Sequence, residues 1–149
     1  MSGDELAHSQ RLIAIGLSPG EAAHKSRLFG EQDRALDAWR SPGPRLRWFV
    51  PGRIEILGKH TDYAGGRSLL CAVERGFCVT VAPRTDDVLR LVDVANQAEA
   101  TVRMREDQPA VSRWPTYPAT VARRLARNFP PHGFAPGGAQ GDALRGADF

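Results

Sequence analysis

The chain has 149 residues, of which 42% are apolar and 25% charged, and its net charge is +3. This length suits one ordinary domain with its own core and is too short for two sizeable ones. All cationic residues except Lys25 and Lys59 are arginines, and they are spread along the chain beside acidic residues. Because no block of like charge forms a basic stripe, we expect no nucleic-acid partner.

The sequence contains two cysteines, Cys71 and Cys78, which is too few for a disulfide framework or a zinc site. Each lies in an apolar stretch, so we expect both thiols to be core side chains. The polar, acidic N-terminus is unlike a signal peptide, and no apolar run has the length of a membrane span. We therefore expect a cytoplasmic protein without a membrane partner, and the oligomeric state is left open.

The first part of the chain predicts helix. Ser18 is expected to cap a helix that begins at Pro19, with Glu21 reaching back to Ser18 as a capping box. Apolar residues then recur at helical spacing, and the segment Ser41–Pro44 predicts a linker or turn that ends the helix.

From residue 45 onward the pattern is typical of strands. The predicted strands cover residues 47–50, 54–57, 77–81, 88–92 and 101–105. The first two flank Pro51–Gly52, which predicts a turn, and we expect the strands to pair as an antiparallel meander. Farther on, the spacing predicts one helix with an apolar stripe; the stripe consists of Tyr117, Val121, Leu125 and Phe129. The last residues, 133–149, predict a glycine-rich loop.

The segment Pro51–Gly66 holds the densest chemistry. Its polar and titratable side chains, crowded between Gly52 and the pair Gly65–Gly66, are Arg53, Lys59, His60, Asp62 and Tyr63. Glycines let a backbone approach a ligand closely, and a carboxylate can accept hydrogen bonds from two neighbouring sugar hydroxyls. Cationic side chains suit a phosphate or a carboxylate. The residues alone leave two interpretations of this segment open: it is a binding loop for a small-molecule sugar, or it is a solvated turn with incidental charges.

This segment resembles the galactokinase signature, a Gly-Arg-x-Asn-hydrophobic-Ile-Gly-Glu-His-x-Asp-Tyr string followed by a small residue and a glycine. The matching positions are Pro51, Gly52, Arg53, Gly58, His60, Thr61, Asp62, Tyr63 and Gly66. Downstream, Arg113-Trp114-x-x-Tyr117 is similar to the family's Arg-Trp-x-x-Tyr segment, which lies near the nucleotide. Together the two segments resemble the galactokinase branch of the GHMP kinases, in the same order, over residues 48–129.

The resemblance implies an α+β fold, a two-layer mixed sheet with helices of the GHMP-kinase N-terminal type. It divides the chain into a helical segment (1–44), a galactokinase-like N-terminal domain (45–132) and a tail (133–149). It also implies transfer of the γ-phosphoryl group of ATP, with magnesium, to the anomeric hydroxyl of galactose or a related sugar.

The same resemblance assigns roles to residues. Arg53 would be catalytic, stabilising the ionised acceptor and the charge that develops during transfer. His60 and Asp62 would bind sugar hydroxyls in a substrate loop that also contains Lys59 and Tyr63, and we expect Tyr63 to be structural. Arg113 and Trp114 would lie on the nucleotide side, with Trp114 near the adenine. Two alternatives stay open: His60 braces the loop, and Trp114 belongs to the core.

The chain departs from the family at Lys59, where the family has a Glu that contacts the sixth-carbon hydroxyl of the sugar. A donor-only cation in place of an acceptor-only carboxylate inverts the hydrogen bonding at that position. One hypothesis is an acceptor that is anionic there, such as a uronic acid; the other is a lysine that has drifted or turns outward. Glu55 replaces the family's Asn, and no effect is predicted for it.

A second departure concerns the phosphates. The family carries a Gly/Ser-rich phosphate loop that opens a helix, and the chain has neither this string nor the family's catalytic Asp. Residues Gly137–Gly141 lack the required context, whereas Leu144–Phe149 resembles the strand that leads into the loop. We therefore expect the N-terminal part of a sugar kinase, incomplete and inactive alone, with ATP and magnesium bound in the complete enzyme. The alternatives are a non-catalytic sugar-binding or sensor module and a gene remnant without function.

Overall fold

The computed structural model describes residues 3–41, 43–105, 107, 109, 113–128 and 147–148. Its elements in chain order are α1 (Gly3–Ala14), α2 (Pro19–Ala38), β1 (Leu46–Leu57), β2 (Leu69–Pro83), β3 (Val88–Asp93), β4 (Ala98–Arg103), α3 (Thr116–Asn128) and β5 (Ala147–Asp148). The hydrogen-bonded strand order is β1-β2-β5-β3-β4. Helices and a mixed sheet confirm the predicted α+β class.

The chain forms two compact units, Met1–Glu31 with Arg47–Thr80 and Gln32–Leu46 with Val81–Phe149. The domain boundaries expected after residues 44 and 132 stay predictions. Within the described ranges, no helix is both long and apolar enough to span a membrane.

In the first unit, α2 begins at Pro19 as the sequence predicts, and the Ala22 amide donates to the Ser18 carbonyl over 2.9 Å. The predicted capping box is wrong in its acidic partner. The amide and the hydroxyl of Ser18 donate to the carboxylate of Glu74 on β2. Glu21 instead accepts a 2.6 Å hydrogen bond from the ammonium of Lys25, one turn farther along the helix. Glu74, 56 positions from Ser18, thus accepts the hydrogen bond that was expected of Glu21, the third residue of the helix.

The core of the first unit lies between the helices and one face of the β1–β2 hairpin. Its buried residues are Leu12, Leu17, Ala22 and Phe29, with Phe49 and Cys78 packed against them. The ammonium of Lys25, a residue only 4% exposed, lies 5.1 Å from the centre of the Phe49 ring. Burial raises the pKa of the Cys78 thiol, and the nearby Lys25 partly opposes that rise. The expectation that both cysteines are core residues is half right, because Cys71 is exposed.

The turn predicted at Pro51–Gly52 is wrong, because β1 continues through both residues. A Cβ built on Gly52 would lie 2.9 Å from the Arg75 carbonyl oxygen, and one on Gly76 would overlap the Val50 carbonyl. These contacts show that β1 and β2 run antiparallel and approach closely where glycines stand in both strands. The local turn signal is therefore overridden by strand pairing.

In the second unit, β3 and β4 form the predicted antiparallel hairpin, with buried Leu89 opposite buried Val102. The predicted meander is wrong between β2 and β3, because β5 is inserted between these two strands. It pairs antiparallel with Ala82–Pro83 and parallel with Leu89–Arg90. The tail predicted as a loop thus contains a strand at Ala147–Asp148, within the stretch that resembles a family strand, and the rest of the tail lies outside the described residues.

Helix α3 forms where the apolar spacing predicts it, and it packs against β4. Its buried residues are Ala119 and Ala122, which are small enough to let the helix approach the strand. The predicted stripe points away from this contact: Tyr117 is 80% exposed and Val121 is 57% exposed. Phe129, the last member of the stripe, lies outside the described residues.

Acidic residues between β2 and β3 are held by arginines. The Arg84 guanidinium donates to Asp86 over 2.7 and 2.8 Å and lowers the pKa of that carboxyl to about 2. Arg105 and Arg103 both donate to Asp87, which lowers its pKa as well. At a pH above the ordinary pKa of a carboxyl group, these carboxylates therefore stabilise the turn. That stabilisation is lost as the pH falls through their lowered pKa values.

Candidate functional site

The loop that joins β1 to β2, residues 58–68, is the candidate site, and its backbone is fixed from within. Gly58 has a φ of 89°, and a Cβ there would overlap the carbonyl oxygen of Arg67. This position therefore requires glycine for both its conformation and its space. The hairpin closes at this point and presents the following residues at its end.

Thr61 is the residue that ties the loop together. Its hydroxyl donates to the Gly58 carbonyl oxygen over 2.7 Å, and the Arg67 carbonyl oxygen lies 3.2 Å away, so the single hydroxyl proton is shared between acceptors on the two sides of the loop. Its own carbonyl accepts hydrogen bonds from the amides of Ala64 and Gly66, at 3.0 and 2.8 Å. A Cβ on Gly66 would lie 2.7 Å from the Thr61 Cβ, so the glycine is needed for this packing.

His60 has a left-handed backbone, with a φ of 62°. This region is uncommon for a residue other than glycine, and strained residues concentrate at functional sites. The imidazole is exposed and stacks on the Tyr63 ring, with centroids 5.8 Å apart and planes at 10°. Tyr63 itself is 84% exposed. The pair thus forms a small aromatic platform that is open to solvent.

The cationic members of the predicted site are also accessible. Arg53 on β1 and Lys59 in the loop are exposed, and within the described residues neither forms a hydrogen bond or an ion pair. Their charges are therefore available to an external anion or hydroxyl. The backbone of Asp62 lies in a short 3-10 turn, Asp62–Ala64, and its side chain is outside the described part of the structure.

The two residues expected on the nucleotide side lie immediately before α3, in the second unit. Arg113 is exposed with a φ of 65°, and its carbonyl accepts the Thr116 amide over 3.1 Å. Trp114 is half-buried. The structure brings Lys59, His60 and Tyr63 together in one loop and describes Arg113 and Trp114 separately, in the other unit.

A basic groove on α3 was not singled out by the sequence analysis. It has a volume of about 340 Å³ and is lined by Thr120, Arg123, Arg124 and Arg127. The signal was present in the sequence, because these positions recur at helical spacing. Within the described ranges, no cluster of three or more His, Cys, Asp or Glu side chains could hold a metal ion.

Comparison with known proteins bears on this loop directly. Residues 26–83 match the galactokinase galactose-binding signature. The galactokinase of Actinobacillus pleuropneumoniae serotype 5b is 33% identical over 84 residues, which cover 55% of this chain and 22% of that protein. The galactokinase of Lactiplantibacillus plantarum is 31% identical over 108 residues, covering 64% of this chain and 28% of that protein. No solved structure matches the chain significantly.

The loop and these matches define a region similar to the galactose-binding region of galactokinases, on an α+β scaffold. More particularly, the chain contains a galactokinase-like N-terminal portion, and the matched region includes both strands of the hairpin and the loop between them. The matched part spans about a quarter of the relatives' own length.

Thr61→Val is expected to destabilise the protein by about 1 kcal/mol, because an isosteric methyl group replaces the hydroxyl that bridges the two sides of the loop. Thr61→Ser keeps the hydroxyl and serves as the matched control. Urea unfolding measures the free energy, and amide exchange at Ala64 and Gly66 reports loop opening. A valine variant as stable and as well protected as the serine variant would contradict the bridging role.

Proposed function

We propose that this chain is the N-terminal part of a sugar kinase and that its 58–68 loop binds the sugar acceptor. The reaction of the complete enzyme is transfer of the ATP γ-phosphoryl group to the anomeric hydroxyl of galactose or a related sugar. One observation carries the proposal: within the galactose-binding signature, Lys59, His60 and Tyr63 stand exposed on a loop whose backbone Thr61 holds in place.

In this proposal the side chains have distinct tasks. The His60 imidazole and the Asp62 carboxylate bind sugar hydroxyls, and Tyr63 supports the imidazole by stacking on it. Arg53 supplies fixed positive charge beside the acceptor, where negative charge grows during phosphoryl transfer. The exposed, unpaired guanidinium of Arg53 in the described part of the chain is compatible with this task.

The nucleotide is the second ligand of the complete enzyme. Arg113 offers a cation and Trp114 an aromatic surface, a donor set that suits the phosphates and the base of an adenine nucleotide. Bound ATP supplies the phosphoryl group, and magnesium supplies charge neutralisation during transfer. Because the sequence has no Gly/Ser-rich phosphate loop, we propose that the chain alone binds sugar without phosphorylating it.

The direct test is calorimetric titration of the full chain with galactose. We expect saturable binding that His60→Ala weakens by about tenfold or more, since one charged or polar hydrogen bond is worth roughly that much. His24→Ala, which removes an exposed histidine from α2, is the matched control and leaves the affinity unchanged.

Loss of binding in both variants, or no binding by the wild type, contradicts the proposal. Adding ATP and magnesium to the sugar-loaded chain distinguishes sugar binding alone from phosphoryl transfer. No sugar phosphate is expected, and its formation would show that the chain is catalytic. Sugar-dependent capture of a partner protein, without phosphorylation, would favour a sensor module instead.

Lys59 makes the second prediction about the site. Its ammonium is exposed and unpaired within the described residues, so it is free to pair with a carboxylate on the sixth carbon of the sugar. We expect galacturonate to bind more tightly than galactose, and Lys59→Glu to reverse that order by converting a donor to an acceptor. Competition of the two sugars in the same titration measures this. A wild-type preference for galactose would reject the uronate hypothesis and leave the sugar loop itself intact.

A further inference from the structure

Helix α3 carries a basic groove that lies outside the sugar loop and outside the residues assigned to the nucleotide. We call it the arginine groove; its volume is about 340 Å³, and its lining consists of Thr120, Arg123, Arg124 and Arg127. The last three positions follow the first by three, four and seven residues, so all four share one face of the helix. Arg124 and Arg127 are exposed, and Arg123 is half-buried. Three guanidinium groups thus line one concave surface.

Elsewhere in the second unit, most of the arginine charge is balanced by carboxylates. The arginines that lie within 4.0 Å of a carboxylate oxygen are Arg45, Arg84, Arg90, Arg103 and Arg105. The sequence of α3, by contrast, includes no Asp or Glu between Thr116 and Asn128. Within the described ranges, Arg123 and Arg124 form no hydrogen bond or ion pair. Their charges are therefore left for an external anion.

The helix dipole accounts for only part of this cluster. Arg127 lies in the last turn of α3, where the negative end of the helix favours a cation. Arg123 and Arg124 precede that turn, and the dipole effect falls off beyond it. Arg123 and Arg127 also stand four residues apart, a spacing at which like charges repel each other. An anion bound between these side chains would replace the repulsion by attraction.

The donors of the groove suit phosphate groups in a row. Each guanidinium offers several N–H donors in a planar fork that matches phosphate oxygens. The Thr120 hydroxyl donates to the Thr116 carbonyl oxygen over 2.7 Å, so the donors for an anion come from the arginines. From Thr120 to Arg127 the groove follows about 10 Å of helix. A single phosphate is shorter than this, whereas linked phosphates can contact all three guanidinium groups at once.

We propose that the arginine groove binds an inorganic oligophosphate, a short chain of linked phosphate groups. The groove is at the small end of the range of about 300–1,000 Å³ that is typical of small-molecule sites. No aromatic side chain among the described residues lines it, so the site recognises phosphates and leaves a nucleobase without a partner. The proposal is independent of sugar binding at the 58–68 loop and of the nucleotide contacts proposed for Arg113 and Trp114.

Calorimetric titration of the full chain with sodium tripolyphosphate, in the absence of magnesium, tests the proposal. We expect saturable binding at least about tenfold tighter than that of inorganic phosphate, because the added phosphates reach further guanidinium groups. ATP is expected to bind more weakly than tripolyphosphate, since its triphosphate carries one charge fewer and its base finds no partner in the groove.

Two matched variants assign the binding to the groove. Arg124→Gln removes one exposed guanidinium from the groove and is expected to weaken tripolyphosphate binding about tenfold. Arg34→Gln removes an exposed arginine from α2 that likewise has no hydrogen bond or ion pair within the described residues. It changes the net charge of the chain equally and is expected to leave the affinity unchanged. Equal losses in the two variants would show a general charge effect and overturn the proposal.

Amide NMR spectra of the wild type locate the anion without relying on a variant. Tripolyphosphate is expected to shift the amides of residues 120–127 and to leave those of residues 58–68 unchanged. Shifts confined to the 58–68 loop would place the anion at the sugar site and overturn the proposal. Absence of binding, equal affinity for inorganic phosphate, or tighter binding of ATP would each overturn it as well. None of these results bears on whether the loop binds galactose.

Discussion

The close contact between β1 and β2 is the constraint on which the first unit depends. Gly52 and Gly76 stand where any Cβ would collide with the opposite backbone, so the strands approach there as no other pair of residues would allow. Because of this contact, β1 continues without a turn through Pro51. It also fixes which residues face the helices, and so places Phe49 and Cys78 on the core. The loop that follows at Gly58 begins from that register.

Long-range polar contacts then attach the helices to the hairpin. Glu74 reaches from β2 to the start of α2, and Lys25 reaches back over Phe49 while paired with Glu21. A cation that is 4% exposed is costly unless it is paired. Glu21 pairs with Lys25, so the carboxylate that accepts from the Ser18 amide is Glu74 on the strand. The helix start and the strand register are therefore determined together.

Much of the fold was predictable where the signal is local. The start of α2 at Pro19, the β3–β4 hairpin and the position of α3 all follow from capping residues or short-range spacing. The failures share a different cause. The continuation of β1 through Pro51, the cap by Glu74 and the insertion of β5 depend on residues far apart in sequence, which a local pattern does not contain. The spacing on α3 predicted the helix but not the exposure of its apolar stripe, because periodicity identifies a face of a helix and does not say what covers it.

The candidate site was predictable to a similar degree. The sequence located the loop because glycines and polar residues are dense between Pro51 and Gly66. It did not reveal that Thr61 fastens the loop from within or that His60 adopts a left-handed backbone, since both depend on how the chain closes. The roles of Arg113 and Trp114 stay predictions, because these residues lie in the second unit. The galactose-binding signature that spans the loop supports the sugar role and leaves the nucleotide role to experiment.

The central claim is that the 58–68 loop holds the sugar. The most direct measurement is a two-dimensional NMR titration of the amide-labelled chain with galactose. The account predicts saturable shifts at the amides of Lys59, His60 and Ala64, with the amides of α3 unchanged. Shifts confined to other regions, or no shifts at saturating sugar, would contradict it.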